Sequence, residues 1–289
     1  MRLRMVLGII SSCAKRGISP WRFFQLNAPY FNDQKGVFSK LDLEQQVPEK
    51  WRLPSLVLDP LQSVDGWKAE VLDHLRLPVF VKPEWGQNGH GIYRARTEQE
   101  LEQALREVAR LETPYFVQQG ADYGREIDVF FVGSPRTDQA PRCFSVTEML
   151  DTHGDILPIH SIHNGTQYRD LTGLLTAEDR AQLWRLLSEM GDYRIARVGL
   201  KTPSLEALLE GVFQVVEINL FTPMPINLLD EEQSLVKRQE FLKGFAKAVA
   251  DVIALSEQQP SKPIFWEKTR RHFALKRKAS FDRLHAPSL

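Results

Sequence analysis

From residue 77 onward the apolar positions follow two periods, one of two residues and one of three to four, and together these divide the chain into short strands and helices. Residues 77–83 form an apolar, β-rich run that ends in Lys82 and Pro83. Thr97 and Glu100 stand in the spacing of a capping box, with Leu101, Leu105 and Val108 at helical spacing behind them, which predicts a helix to about residue 110. Strands are predicted at 114–119, 126–132 and 143–149. In the second of these Ile127, Val129 and Phe131 share one face, and Glu126 and Asp128 share the other. A helix follows Thr176, with Leu183, Leu187 and Met190 turned inward. The runs 193–201 and 212–219 read as strands that pair, joined by a connection at 203–211 that is long for a tight hairpin. Asp230 is expected to cap a last long helix, with Leu235, Phe241, Phe245, Val249 and Val252 on its apolar stripe.

Two of these strands carry candidate chemistry. In Val215-Val216-Glu217-Ile218-Asn219 a carboxylate and an amide stand two residues apart. They share one face of the strand, roughly 7 Å from each other. Such a pair of oxygens suits Mg²⁺, which completes its shell with water and phosphate oxygens; the plain alternative is a strand with a solvated polar face. The run ending at Lys82 is followed by a loop containing Gly86, Gly89 and Gly91. Glycines let the backbone take positive φ and approach a ligand, and successive N–H groups there can bind an anion. Lys82 would add a point charge for phosphate. No Gly-Lys-Ser/Thr closes the loop, so it is not a Walker A motif; a flexible hairpin that is Gly-rich by chance is the other reading.

In order and spacing these pieces resemble the ATP-grasp superfamily, in the branch of the D-alanine–D-alanine ligases. The resemblance spans about residues 77–255. It rests on Val81-Lys82-Pro83 with its glycine loop, on Tyr115-Phe116-Val117-Gln118-Gln119, on Gly124-Arg125-Glu126-Ile127-Asp128-Val129, on Arg197-Val198-Gly199-Leu200 and on Val216-Glu217-Ile218-Asn219. It implies an α+β, ATP-grasp fold: two α+β subdomains with antiparallel sheets enclosing ATP, with Mg²⁺ bridging its phosphates. It implies phosphorylation of a carboxylate, attack on the acyl phosphate by an amine, thiol or similar nucleophile, and release of ADP and phosphate. By position, Lys82 matches the lysine on the α/β-phosphates, and Gly86, Gly89 and Gly91 the loop that closes over them. Gln118 and Gln119 match the hinge strand that meets adenine through its backbone, and Glu126 the acid on a ribose hydroxyl. Arg197 matches the arginine facing the transferring phosphoryl group, and Glu217 with Asn219 the metal ligands. For Glu126 the alternative is a solvated strand glutamate, and for Arg197 an ion pair between neighbouring strands. Gly199 departs from the pattern, because ligases of this branch place an acidic metal ligand there. Another residue substitutes, one metal suffices, or the protein is a degenerate member that binds ATP poorly. A nucleotide-binding relative without catalysis is therefore an alternative.

Other segments are less specific. Asn32-Asp33-Gln34-Lys35 and Phe38-Ser39-Lys40 resemble the family segment that supplies an early nucleotide-binding lysine, with Lys35 and Lys40 equally eligible and an ordinary surface lysine the plain reading of either. His160, His163, Asn164, Thr166, Gln167 and Tyr168 fall where relatives carry a loop near the γ-phosphate or acceptor; a polar surface loop is the alternative. Leu220-Phe221-Thr222-Pro223-Met224-Pro225 stands where many relatives have a Pro-Gly turn, so a differently shaped acceptor pocket is expected.

Composition narrows the class. Hydrophobic residues make up 43% and charged residues 26% of 289, as in an ordinary globular protein. Lysine plus arginine and aspartate plus glutamate number 37 each, so overall charge gives no reason to expect nucleic acid. Cys13 and Cys143 form no CxxC pair, which argues against a structural zinc or a disulfide framework and fits a reducing cytoplasm. The apolar run 5–13 is short and is followed at once by Lys15 and Arg16, so it is expected to be a first strand or helix rather than an export signal. Residues 256–289 carry eight lysines and arginines against three acids, interleaved with aromatics. That tail is expected either to dock on its own domain by the aromatics or to touch a membrane or nucleic acid by its basic face. The expected organisation is a reduced N-terminal region at 1–75, a small ATP-grasp subdomain at 76–135, a large one at 136–255 and the basic tail. Expected partners are small-molecule or peptide carboxylates and nucleophiles, with a homodimer as in many relatives.

Overall fold

The computed structural model describes residues 2–31, 38–85, 91–111, 113–133, 140–151, 166–256, 262–267 and 269–270. Two antiparallel sheets organise it. The smaller joins β1 (Ser55–Val57), β2 (Val79–Pro83), β3 (Tyr93–Ala95) and β4 (Tyr115–Gln119) in the order β1-β4-β2-β3. Helices α3 (Val64–His74) and α4 (Glu98–Val108) cover one face of it through Val71, Leu101 and Leu105, which meet Val79, Val81 and Val117 in one apolar core. Thr97 caps α4 by accepting the Glu100 N–H, as predicted, but the Glu100 carboxylate reaches one residue further back, to the Arg96 N–H.

The larger sheet joins β5 (Arg125–Val132), β6 (Cys143–Leu150), β7 (Gln167–Asp170), β8 (Ile195–Thr202) and β9 (Gln214–Asn219) in the order β7-β6-β5-β8-β9. Ile127, Val129, Phe131, Val198 and Leu200 line one face and pack on α5 (Ala177–Ser188) and α6 (Leu205–Leu209) through Leu183, Leu187 and Leu208. The opposite face is divided. At one end Phe130, Val132 and Ile195 pack against α1 (Arg2–Ala14) and α7 (Leu235–Leu255). At the other end the same face is polar, with Glu126, Asp128, Arg197, Glu217 and Asn219. Helix α1 lies close on α7 at Gly8, where a Cβ would come within 3.2 Å of the Ala246 Cβ. The Arg16 guanidinium locks that end with hydrogen bonds of 2.9 and 2.6 Å to Asp251 Oδ1.

Several expectations are corrected here. The subdomain boundary drawn at 135 falls instead between β4 and β5, because β5 is the central strand of the larger sheet. Residues 1–75 are divided between the two halves: β1 and α3 belong to the smaller sheet, while α1 packs on the larger. The 203–211 connection holds α6, capped by Ser204, which accepts the Ala207 N–H at 3.1 Å. Ser234 rather than Asp230 caps α7. Asp230 instead accepts the Asp170 N–H at 2.8 Å and so ties β7 to the turn before that helix. Leu235 is exposed at the helix start and lies off the apolar stripe. Gln167 and Tyr168 lie in β7 rather than in a loop, while His160, His163 and Asn164 lie outside the described residues. The described part of the tail docks by Ile264, buried in the main core, and by Phe265, whose ring lies 4.7 Å from that of Phe24. No described helix is long and apolar enough to cross a membrane.

Candidate active site

The site begins with a bulge. Along β8 and β9, Gly199 pairs with Glu217 but Leu200 pairs with Val215, so Val216 is an extra residue on β9. A bulge re-aims the side chains beside it. Val215 and Ile218 stay in the core, while Glu217 and Asn219 turn to the polar face and lie opposite Gly199 and Arg197.

Register then builds a row across the sheet. Asp170, Thr147, Asp128, Gly199 and Glu217 are successive cross-strand partners on β7, β6, β5, β8 and β9. Gly199 is the one member without a side chain, and the Arg197 guanidinium spans the space above it. Its Nε lies 3.0 Å from Asp128 Oδ2, and its Nη2 donates to Glu217 Oε1 at 3.1 Å. Asp128 is buried and its Oδ1 has no hydrogen-bond partner. Burial pushes its carboxyl upward, against the pull of Arg197. Enclosure also opposes ionisation of Glu217, but Arg197, Lys40 and Lys82 outweigh it and hold that carboxyl below its ordinary value. Asn219 lies close enough to Glu217 to assist, although its buried Nδ2 makes no hydrogen bond of good geometry.

Facing this edge, on β2 of the smaller sheet and on a neighbouring helix, stand two lysines. Lys82 on β2 is buried and donates to Gln118 Oε1 on β4. Gln118 Nε2 in turn donates to Glu44 Oε1 at 2.6 Å, on helix α2 (Lys40–Gln46). Ser39 caps α2 by accepting the Asp42 N–H, and its hydroxyl donates to Glu84 Oε1 at 2.7 Å, just beyond β2. That link sets Lys40, the first residue of α2, beside Lys82. Burial and the Lys82 charge lower the Lys40 amine to about 8, against the opposing pull of Glu217 and Glu44. Lys82 is lowered mainly by its own burial. Lys40, Lys82, Glu44, Glu217 and Asn219 line one small pocket between the two halves of the molecule. On the other side of Glu217 and Asn219 opens a larger cavity of about 740 Å³, which Arg197, Glu126 and Tyr168 also line.

The residues singled out in the sequence are thus partly gathered. Glu217 and Asn219 line both pockets, Lys82 the smaller and Arg197 the larger, while Gln118 accepts a hydrogen bond from Lys82 without lining either. Glu126 lies one row away, in a 2.9 Å ion pair with Lys201 on β8. Gln119 turns away: its Oε1 accepts the Arg76 N–H at 2.9 Å, and its own N–H donates to Pro54 O. Gly91 has φ +74°, in the region that favours glycine, and a Cβ there would lie 2.8 Å from the Tyr115 hydroxyl. Gly86 and Gly89 lie outside the described residues, as does Lys35. Sequence reasoning gave Asp128 no role and left Lys40 undecided. The signal for Lys40 was the Ser39–Asp42 cap, which makes it the first helical residue; for Asp128 it was alternation, which already put it on the face of Glu126.

Among the described residues no three of His, Cys, Asp and Glu are grouped to hold a metal ion by themselves. Glu217 and Asn219 nevertheless fit Mg²⁺ carried in on a nucleotide. The ion commonly takes one or two protein oxygens and completes its octahedron with water and phosphate oxygens, and the Glu217 side chain is 44% exposed on the pocket it would face.

Two antiparallel sheets that meet over a lysine-lined pocket define the ATP-grasp fold. The structure shares it with carboxyaminoimidazole ribonucleotide synthase of Aspergillus clavatus, solved in complex with ATP, at 12% identity and a TM-score of 0.51 over 78% of this chain and 53% of that one. It shares it also with a D-alanine–D-alanine ligase of Bacillus anthracis, at 14% identity and a TM-score of 0.50 over 75% of this chain and 67% of that one. Residues 56–171 match the family described as D-ala D-ala ligase C-terminus. A D-alanine–D-alanine ligase of Prochlorococcus marinus subsp. pastoris is 32% identical over 100 residues, which are 35% of this chain and 27% of that protein. By fold the chain is an ATP-grasp protein, and within that class it is similar to the D-alanine–D-alanine ligases. It spans about a quarter of the curated relative and about half to two thirds of these solved ones.

Proposed function

We propose that the chain is an ATP-dependent carboxylate ligase. A substrate carboxylate oxygen attacks the γ-phosphorus of ATP, the bond to ADP breaks, and an acyl phosphate forms. An amine or similar nucleophile then attacks the acyl carbon and phosphate leaves. The observation that carries this reading is the meeting of two pockets at Glu217 and Asn219, one lined by Lys40 and Lys82, the other reached by Arg197. Phosphoryl transfer needs little covalent chemistry from a protein; it needs in-line positioning and neutralisation of charge. Lys40 and Lys82 would hold phosphate oxygens as point charges. Gly86, Gly89 and Gly91 would close over them, and the strand of Gln118 and Gln119 would border the adenine. Glu126 would accept from a ribose hydroxyl. Arg197, permanently charged and held on two sides, would stabilise charge developing on the transferring group. Mg²⁺, held by Glu217 and Asn219, would supply charge neutralisation on the phosphates.

A nucleotide-binding relative without catalysis is the second reading. Its support is Arg197, which is already engaged by an ion pair with Asp128 and a hydrogen bond to Glu217 over the empty position at Gly199. Stabilisation by a non-hydrolysable ATP analogue with Mg²⁺ tests both readings. ADP release with candidate acids and nucleophiles separates them. A protein whose melting temperature ignores the nucleotide contradicts both. On the ligase reading the protein works where ATP is supplied, in a reducing cytoplasm.

A further inference from the structure

The larger cavity has a composition unlike that of a site for a small polar acid. Its polar groups gather at one end, where Glu126, Tyr168, Arg197, Glu217 and Asn219 border the nucleotide pocket. The remaining wall is apolar and includes Val6, Ile9 and Ile10 of α1, Trp21, Phe24 and Phe221. Val6, Ile10 and Trp21 are 52%, 44% and 57% exposed, so the cavity leaves large apolar side chains in contact with water. An apolar surface of this kind, joined to a polar end, marks a binding site more often than a chance feature. The acids at the polar end are already paired, Glu126 with Lys201 and Glu217 with Arg197. A substrate ammonium lying along the apolar wall would find no partner, and an unpaired buried charge is costly. Arg197, by contrast, donates from Nη2 to Glu217, lies in ion-pair contact with Asp128 through an Nε that makes no hydrogen bond, and has further donors for a carboxylate.

We propose that this cavity binds the apolar body of a monocarboxylic acid, an acyl chain or aryl-alkyl group, with its carboxylate at the Arg197–Asn219 end. The proposal rests on the ligase reading for its chemistry and on the cavity wall for the class of acid. Transfer of the acid's body out of water then gives affinity that climbs with length, by about fourfold per methylene.

The test is calorimetric titration of the protein, saturated with a non-hydrolysable ATP analogue and Mg²⁺, with acetate, hexanoate, octanoate and octanol. The expected result is a rise in affinity from acetate to octanoate, with octanol bound at least about tenfold more weakly than octanoate. Ile10→Glu and Val6→Asp, at exposed positions that should not disturb folding, are expected to weaken octanoate by about tenfold or more and to leave the nucleotide-induced thermal shift unchanged. In turnover, hydroxylamine should trap the acyl phosphate of octanoate as the hydroxamate, with release of phosphate. Acetate equal to octanoate, octanol equal to octanoate, or octanoate binding unaffected by both variants would overturn the proposal. Loss of the nucleotide shift in the parent protein would instead count against the ligase reading, while octanoate binding without nucleotide still reads the cavity.

Discussion

Asp128 and Gly199 face each other directly across the β5–β8 pair, one a buried carboxylate and the other bare backbone. Arg197 lies over that gap and joins Asp128 to Glu217 on the far side. The site is therefore held by one guanidinium set between two carboxyl groups, at the place where the resemblance implies an acidic metal ligand. Asp128→Ala removes one pier and leaves part of a guanidinium without its partner. Deleting one member of a buried pair costs about 3–5 kcal/mol. Urea denaturation should show that loss, and a change within about 0.5 kcal/mol would mean that the bridge contributes little.

Gly199→Asp should return a carboxylate to the gap. Its Cβ would stand 3.1 Å from the Glu217 Cγ, so the Glu217 side chain must give by a few tenths of an ångström. We expect about tenfold tighter binding of Mn²⁺ in the presence of ADP, read by electron paramagnetic resonance. Metal dependence identical to the parent's would show that the position does not border the metal.

Glu217→Ala should lower ADP release by at least about a hundredfold, with little change in melting temperature, because its side chain is 44% exposed. Full turnover by that variant would remove Glu217 from the list of metal ligands.

Lys40 gives the site a pH signature. Its amine titrates at about 8 in the folded protein and at about 10.4 when unfolded. Between those values the unfolded chain binds the extra proton, so this group's contribution to stability rises as pH climbs from about 8 to about 10.4, and its full penalty is felt below 8. A bound phosphate would restore the proton. Nucleotide affinity should accordingly fall above pH 8, and binding there should take up a proton, seen as a dependence of the calorimetric heat on the buffer's ionisation enthalpy. Lys40→Met should stabilise the free protein slightly and weaken nucleotide by about tenfold to a hundredfold. Affinity that stays flat from pH 7 to 9.5 would contradict this.

Thr222 has φ +43°, a left-handed conformation that a β-branched residue adopts only under strain. It sits in the turn after β9 that borders the larger cavity. Thr222→Gly should relieve that strain and stabilise the protein by about 0.5–1 kcal/mol. A loss of stability would mean that the hydroxyl or methyl makes a contact worth more than the strain.

Alternation and short apolar runs were enough to read β2, β4, β5, β6, β8 and β9, because each is at least five residues long. They failed where elements are short. The three residues of β1 and the five of α6 do not complete a pattern. β7 was obscured because its burial alternates only between exposed and half-buried positions. The site divided in the same way. Lys82, Glu217 and Asn219 stood out because a charged or polar side chain on an apolar strand is conspicuous. The Asp128–Gly199 pairing did not, because register joins residues about seventy positions apart and no local pattern encodes it. The larger cavity was hidden for the same reason, since α1, the aromatics near residue 24 and the turn after β9 meet only in the folded chain.

The most direct test is a crystal structure with a non-hydrolysable ATP analogue and Mg²⁺. The account predicts phosphate oxygens within hydrogen-bond distance of Lys40 and Lys82, the metal on Glu217 and Asn219, and the γ-phosphate turned toward Arg197. A nucleotide bound away from the junction of the two pockets, or a metal that touches neither Glu217 nor Asn219, would contradict it.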